Sequence, residues 1–228
     1  MKKKIIALFL IIPIFLLLAF YMEIGDAQSP YTAQEILTEN GSINMVAAIV
    51  LDYRLFDTFF EVLVFTLAVT GVSYYVKKLT VVSDSDFEKT SITVNVFAPI
   101  MFQMIVLVSL YVAVAGHIGP GGGFAAGVIL GTGLLGVTFV KPMEEIERIF
   151  IKSKIEKYKI ITPFLIAIYG ILGIIWGDSF FTNIPLIGQP GKLLSGGAII
   201  ILNLLIGFEV FAGTWTILYK FIKHRGML

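Results

Sequence analysis

Few residues in this sequence are suited to moving protons or cations, and most of them lie inside apolar sequence. The first group is Asp52, Arg54, Asp57 and Glu61. On a helix Arg54 and Asp57 are i,i+3 neighbours, and Asp57 and Glu61 are i,i+4 neighbours. Glu61 falls about two turns into an apolar run, where an ionised carboxylate costs on the order of 3 kcal/mol unless it is paired, hydrated or protonated. Two readings follow. Either the group is an interfacial charge cluster in which Arg54 neutralises an acid, or Glu61 carries a proton or cation facing the protein interior, with Asp57 at its entrance.

Glu209 is more isolated, with no other acid or base in the apolar run 193–219. It reads either as a protonated acid hydrogen-bonded to another helix or as a group on an ion path, the usual meaning of an intramembrane acid. Asn203, six positions earlier, is displaced around the helix axis and need not share its face. The third feature is Gly116-His117-Ile118-Gly119-Pro120-Gly121-Gly122-Gly123-Phe124. Five glycines and a proline cannot continue a helix, so Gly119, Pro120, Gly121, Gly122 and Gly123 form an irregular turn at membrane depth. His117 can relay a proton near neutral pH, or its ring can hydrogen-bond the turn. The glycines do not cradle phosphate, because no Lys-Ser/Thr follows them and no strand precedes them. Gly123, Gly127 and Gly131, four apart, allow another helix to approach closely.

The elements that position these groups are apolar runs at 5–22, 54–76, 93–115, 124–140, 160–177 and 193–219. Their lengths suit membrane-spanning helices, and they are apolar on every side where a barrel strand would alternate. The expected fold is therefore all-α, a polytopic membrane protein with six spans in the cell membrane. With both termini cytoplasmic, every Lys and Arg in the connecting segments and tails except Arg54 and Lys192 falls on the inside, as the positive-inside rule requires. The first run is long for the apolar core of a cleaved signal, so it is read as a span. Residues 45–53 are too short to cross and form an interfacial or re-entrant segment leading into the second span. The basic, glutamate-interleaved segment 141–159 reads as a solvated interfacial helix. A polar stretch over 79–92 divides the chain near residue 85 into modules 1–85 and 86–228.

Composition excludes much else. Hydrophobic residues make up 57% of the 228 positions and charged residues only 14%, which is outside the range of an ordinary soluble domain. A net charge of +1 leaves no basic excess to hold nucleic acid. The absence of Cys removes thiolate metal sites, iron–sulfur clusters and cysteine nucleophiles, and two His are a poor basis for a metal site. With no triad or nucleotide motif, no cofactor and no catalytic residue is assigned, and the chain is not expected to be an enzyme by itself.

The segment Ala115-Gly116-His117 to Gly122-Gly123-Phe124-Ala125-Ala126-Gly127, between two apolar spans, resembles the signature hairpin of the B-type subunit of the Mrp-type multisubunit sodium/proton antiporters. Val50-Leu51-Asp52-Tyr53-Arg54-Leu55-Phe56-Asp57-Thr58-Phe59-Phe60-Glu61 resembles the carboxy-terminal part of the large A-type subunit, where an Asp-x-Arg-x-x-Asp-Thr-x-x-Glu pattern opens a transmembrane helix. In archaeal membrane-bound hydrogenases and sulfur-reducing complexes that part can be a separate subunit; here the two are fused. The resemblance implies an accessory membrane subunit with other Mrp-type antiporter subunits as partners, hydrogenase or sulfur-reductase subunits as further ones, and Na+, H+ and lipid as its small partners. It places Glu61 on the ion or proton path, flanked by Asp52, Arg54 and Asp57. A scaffold that transports nothing is the alternative, and an independent small-molecule carrier a more remote one. Phe59-Phe60 depart from the smaller residue expected before the acid.

Overall fold

A computed structural model of the chain describes residues 32–76, 91–141, 145–146, 152–177, 180–184 and 188–223. The predicted span 5–22, the module boundary near residue 85 and much of the segment 141–159 lie outside them. Among the described residues the fold is all-helical. Helix α1 (Ala33–Asn40) and the short α2 (Met45–Ala48) lead through a π-helical turn, Ile49–Tyr53, into α3 (Leu55–Val76). Then follow α4 (Ile92–Val114), α5 (Gly123–Thr138), α6 (Lys152–Trp176) and α7 (Ile199–Lys223).

Among the described residues, four helices are long and apolar enough to cross a membrane: Leu55–Val76, Ile92–Val114, Lys159–Trp176 and Ile199–Ile222. Helix α5 has 16 residues, about 24 Å at 1.5 Å per residue. That is less than the roughly 30 Å hydrocarbon core, so α5 is shorter than a full span. Five of the six expected spans are thus helices, and α2 with its π-turn forms the short entry to the second. The last one differs from expectation. It starts at Ile199, not 193, because Gly196 (φ 78°) and Gly197 (φ 59°) take the left-handed conformation that ends the preceding turn.

Helix α7 is the axis of the fold, with α5, α6 and α3 packed around it. Its apolar stretch is 67% buried within the chain, against 11% for α4, so α4 presents most of its surface to lipid or to other proteins. Two apolar clusters form around α7. One joins Leu51, Leu55, Val62 and Ile166 to Ile199, Leu202 and Ile206, and the other joins Leu134 and Val137 to Phe211, Ala212 and Trp215. Phe56, Phe59 and Phe60 continue the first as an aromatic cluster with Phe180 and Phe181. Phe59, with Phe56 one turn earlier, therefore packs α3 against the loop that precedes α7, while Phe60 is exposed.

Small residues bring α5 onto α7. A Cβ on Gly127 would sit 2.5 Å from the Gly207 carbonyl oxygen and 2.6 Å from Val210 Cβ, and one on Gly131 would meet Thr214 Cγ2 at 2.7 Å. The four-residue spacing is thus a backbone-to-backbone contact with Gly207 opposite, the packing that replaces the hydrophobic effect between helices in lipid. Gly136 lies on the same helix with nothing within 4 Å of its Cβ position. Gly127→Val is expected to destabilise the protein by about 1–3 kcal/mol through overpacking. Gly136→Ala is expected to be neutral or to stabilise it by up to about 1 kcal/mol through helix propensity. Thermal melts of the two variants in one detergent check the pair.

Candidate functional site

Deep in the bundle the site is built on a proline. Pro163 lies inside α6 and has no N–H, so the carbonyl of Lys159, four residues earlier, loses its helical donor. In a membrane no water replaces that donor. Thr66 of α3 does: its Oγ1 lies 3.3 Å from the Lys159 carbonyl oxygen. The same hydroxyl is hydrogen-bonded to Oε1 of Glu209 on α7, and Glu209 is fully buried. A threonine hydroxyl has one proton to give and lone pairs to receive another. Facing two acceptors, it serves both when the carboxyl brings a proton of its own, donating to Thr66 while Thr66 donates to Lys159. The second carboxyl oxygen, Oε2, has no partner among the described residues. Three helices therefore converge on one protonatable group.

A second polar region lies at the other end of the bundle, where the turn between α4 and α5 meets the segment before α3. Asn44 caps α2, its Oδ1 accepting from Val46 N and Ala47 N at 3.1 and 3.3 Å. Its Nδ2 donates to the carbonyls of Gly116 and Gly119 at 2.7 and 2.8 Å. Ser42 Oγ and Asn44 N both donate to the His117 carbonyl. Two helix starts are capped by side chains remote in sequence: Asn203 Oδ1 accepts from Gly123 N (2.8 Å) and Asn183 Oδ1 from Ala198 N (2.9 Å). Asp52 accepts from Nδ2 of Asn183 at 3.1 Å and from Nδ2 of Asn40. Burial raises the Asp52 pKa above 3.8; these two amide bonds pull it down, and nearby Glu39 adds a small upward push.

The structure separates the residues singled out in the sequence. Arg54 and Asp57 form the expected ion pair, both exposed. Glu61 is exposed on the flank of α3 beside Phe60 and Val64. It faces away from this chain's core, contrary to an inward-facing acid, because the inner side of that turn is taken by Val62 and Thr58. Glu209 is the acid that does face inward. His117 is fully buried. Its ring bonds the Lys192 carbonyl (Nε2 to O, 3.3 Å), not the turn that carries it, and Nδ1 has no partner among the described residues. Gly119, Pro120, Gly121 and Gly122 form the irregular turn, with Gly122 at φ 146°, whereas Gly123 is already the first residue of α5, its N–H taken by Asn203. Asn203 and Glu209 do not meet. Thr66, Asn183 and the role of Asn44 did not stand out in the sequence; the one local signal was Pro163, which marks a carbonyl in need of a donor.

A central helix ringed by others, a glycine-lined packing seam and a buried carboxyl define a polytopic helical membrane protein. Within that class, the chain belongs to the family described as a domain related to the MnhB subunit of Na+/H+ antiporter, whose model matches residues 93–216, more than half of it. An uncharacterized protein of Methanocaldococcus jannaschii is 26% identical over 211 residues, covering 82% of this chain and 80% of that protein. Among solved structures, a chain of the membrane-bound sulfane sulfur reductase, an archaeal respiratory membrane complex, aligns with TM-score 0.64 and 26% identity. It covers 98% of this chain and 99% of that one. A chain of the Mrp complex from a Dietzia species aligns with TM-score 0.66 and 21% identity over 96% of this chain and 26% of that longer one, a likeness of fold.

Two expectations follow from the outer polar region. With its pKa raised in the folded state, Asp52 holds a proton that the unfolded chain has already released, so stability falls as pH rises from 3.8 through the raised value. Asp52→Asn should flatten that part of the melting-temperature profile, which melts of both proteins across the acid range check. Asn44→Ala should lower stability by about 1 kcal/mol for the cap alone and further for the two carbonyls left without a donor, measured by the same melts at neutral pH.

Proposed function

We propose that this chain is an accessory, non-catalytic membrane subunit of a multisubunit Na+/H+ antiporter module within a respiratory membrane complex, and that Glu209 is its proton-handling group. Membership of the MnhB-related family and the end-to-end likeness to a chain of the sulfane sulfur reductase complex support the assignment to such an assembly. The observation that carries the proton-handling part is the placement of Glu209, fully buried on the central span with its carboxyl hydrogen-bonded to Thr66. A carboxyl so placed is costly, and intramembrane acids mark ion paths. Asp57 and Glu61, on the exposed flank of α3, belong in this reading to a face shared with another subunit, where a cation can bind between chains. His117 has a positioning part, tying the turn to the loop before α7. Residues 1–85 and 86–228 are read as two fused modules, and the family match at 93–216 falls inside the second.

The scaffold reading draws on one observation, the close glycine contact between α5 and α7. One experiment separates the two. The complex is purified from native membranes in mild detergent, its subunits are identified by mass spectrometry, and Na+-driven proton exchange is measured after reconstitution. Antiporter-type subunits are expected to co-purify, and Glu209→Gln is expected to abolish exchange while retaining every partner. Unchanged exchange in a fully assembled Glu209→Gln complex would establish the scaffold, and a chain that purifies alone would remove the subunit assignment.

A further inference from the structure

The two directions along α7 from Glu209 differ in chemistry. Residues 7 and 11 positions away lie within about 20° of its face at 3.6 residues per turn. Toward the end that holds the glycine turn the first of these is Leu202, and α7 begins at Ile199 before the second is reached; toward the Lys-rich end they are Thr216 and Lys220, all three buried. Helix α3 repeats the contrast about Thr66: seven positions one way is Phe59, seven the other way is Ser73. On the glycine-turn side the seam continues into the apolar cluster of Leu55, Val62, Ile199, Leu202 and Ile206.

On the Lys-rich side the polar groups face one another across the seam. Lys220 Nζ donates to the Ser73 carbonyl at 2.9 Å. Ser73 Oγ is buried without a partner among the described residues, as is Glu209 Oε2. Each of these atoms needs a donor or acceptor, and water is the group small enough to serve both. One apolar turn, Phe65 and Val69 against Gly213, separates the two polar levels. Among the described residues, the charged groups that face this region are Lys159 from α6 and Lys220 from α7 itself. Helix α5 offers none over Gly123–Thr138 and α4 none but the exposed Tyr111, while Glu61 on α3 is exposed and points outward.

We propose that Glu209 exchanges its proton with the cytoplasmic side alone, through the α3–α7 seam marked by Thr66, Ser73, Thr216 and Lys220, and is sealed from the opposite side. The positive-inside distribution makes the Lys-rich end cytoplasmic. The inference rests on Glu209 being the proton-handling group and adds the side from which it is filled.

The test uses the native complex in sealed inside-out membrane vesicles and dicyclohexylcarbodiimide, a membrane-permeant reagent that modifies protonated carboxyls in apolar surroundings. Peptide mass spectrometry reads the Glu209 adduct separately from those on Asp57 and Glu61. Raising the pH outside the vesicles, the cytoplasmic side, before the reagent is added is expected to suppress formation of the Glu209 adduct, and raising luminal pH alone is expected to leave its yield unchanged. Ser73→Leu should slow the response to external pH while the adduct formed at low pH persists. An adduct that follows luminal pH, that responds to neither side, or that never forms would overturn the proposal. Because the readout requires no transport, an adduct with luminal sidedness in a complex that loses exchange in Glu209→Gln refutes the sidedness and leaves the functional reading standing.

Discussion

A backbone group inside a bilayer that lacks a partner has no water to turn to, and this constraint organises the molecule. At four places where the described chain departs from regular helix, a side chain from elsewhere repairs the loss. Asn203 takes the first N–H of α5, Asn183 takes that of Ala198 where α7 begins, and Asn44 supplies donors to the turn carbonyls of Gly116 and Gly119. Thr66 fills the carbonyl that Pro163 leaves open. These four repairs are tertiary, so each also ties two helices or loops together.

Glu209 is joined to a repair already required by the backbone. With Glu209 protonated, Thr66 accepts from the carboxyl and donates to the Lys159 carbonyl; with Glu209 ionised, two acceptors compete for the one hydroxyl proton, so the backbone repair and the state of the acid are coupled. The outer polar region has another character. Its acid, Asp52, is held by two amides and lies among caps and loops, where it fixes the segment before α3 to the loop before α7.

Much of the architecture was legible because its signals are local. Unbroken apolar runs locate the spans, and the glycines at 123, 127 and 131 announce a close helix contact. The start of α7 was misplaced because apolar residues continue to 193 while Gly196 and Gly197 turn the chain. The acids were legible as unusual, but their facing was not. Helix α3 is apolar on all sides, so nothing in its pattern says that Val62 and Thr66 point inward and Glu61 outward. Thr66 is an ordinary residue for a membrane helix. Only the fold brings it within reach of a carbonyl 93 positions away.

The clasp of Asn44 and Ser42 on the His117 turn joins residues before α3 to residues after α4 without using the peptide chain between them. Together with the contacts of α3 on α7, it holds the segments before and after the polar stretch 79–92 against each other through space, so a load on either one is shared by the other without passing along the backbone between them.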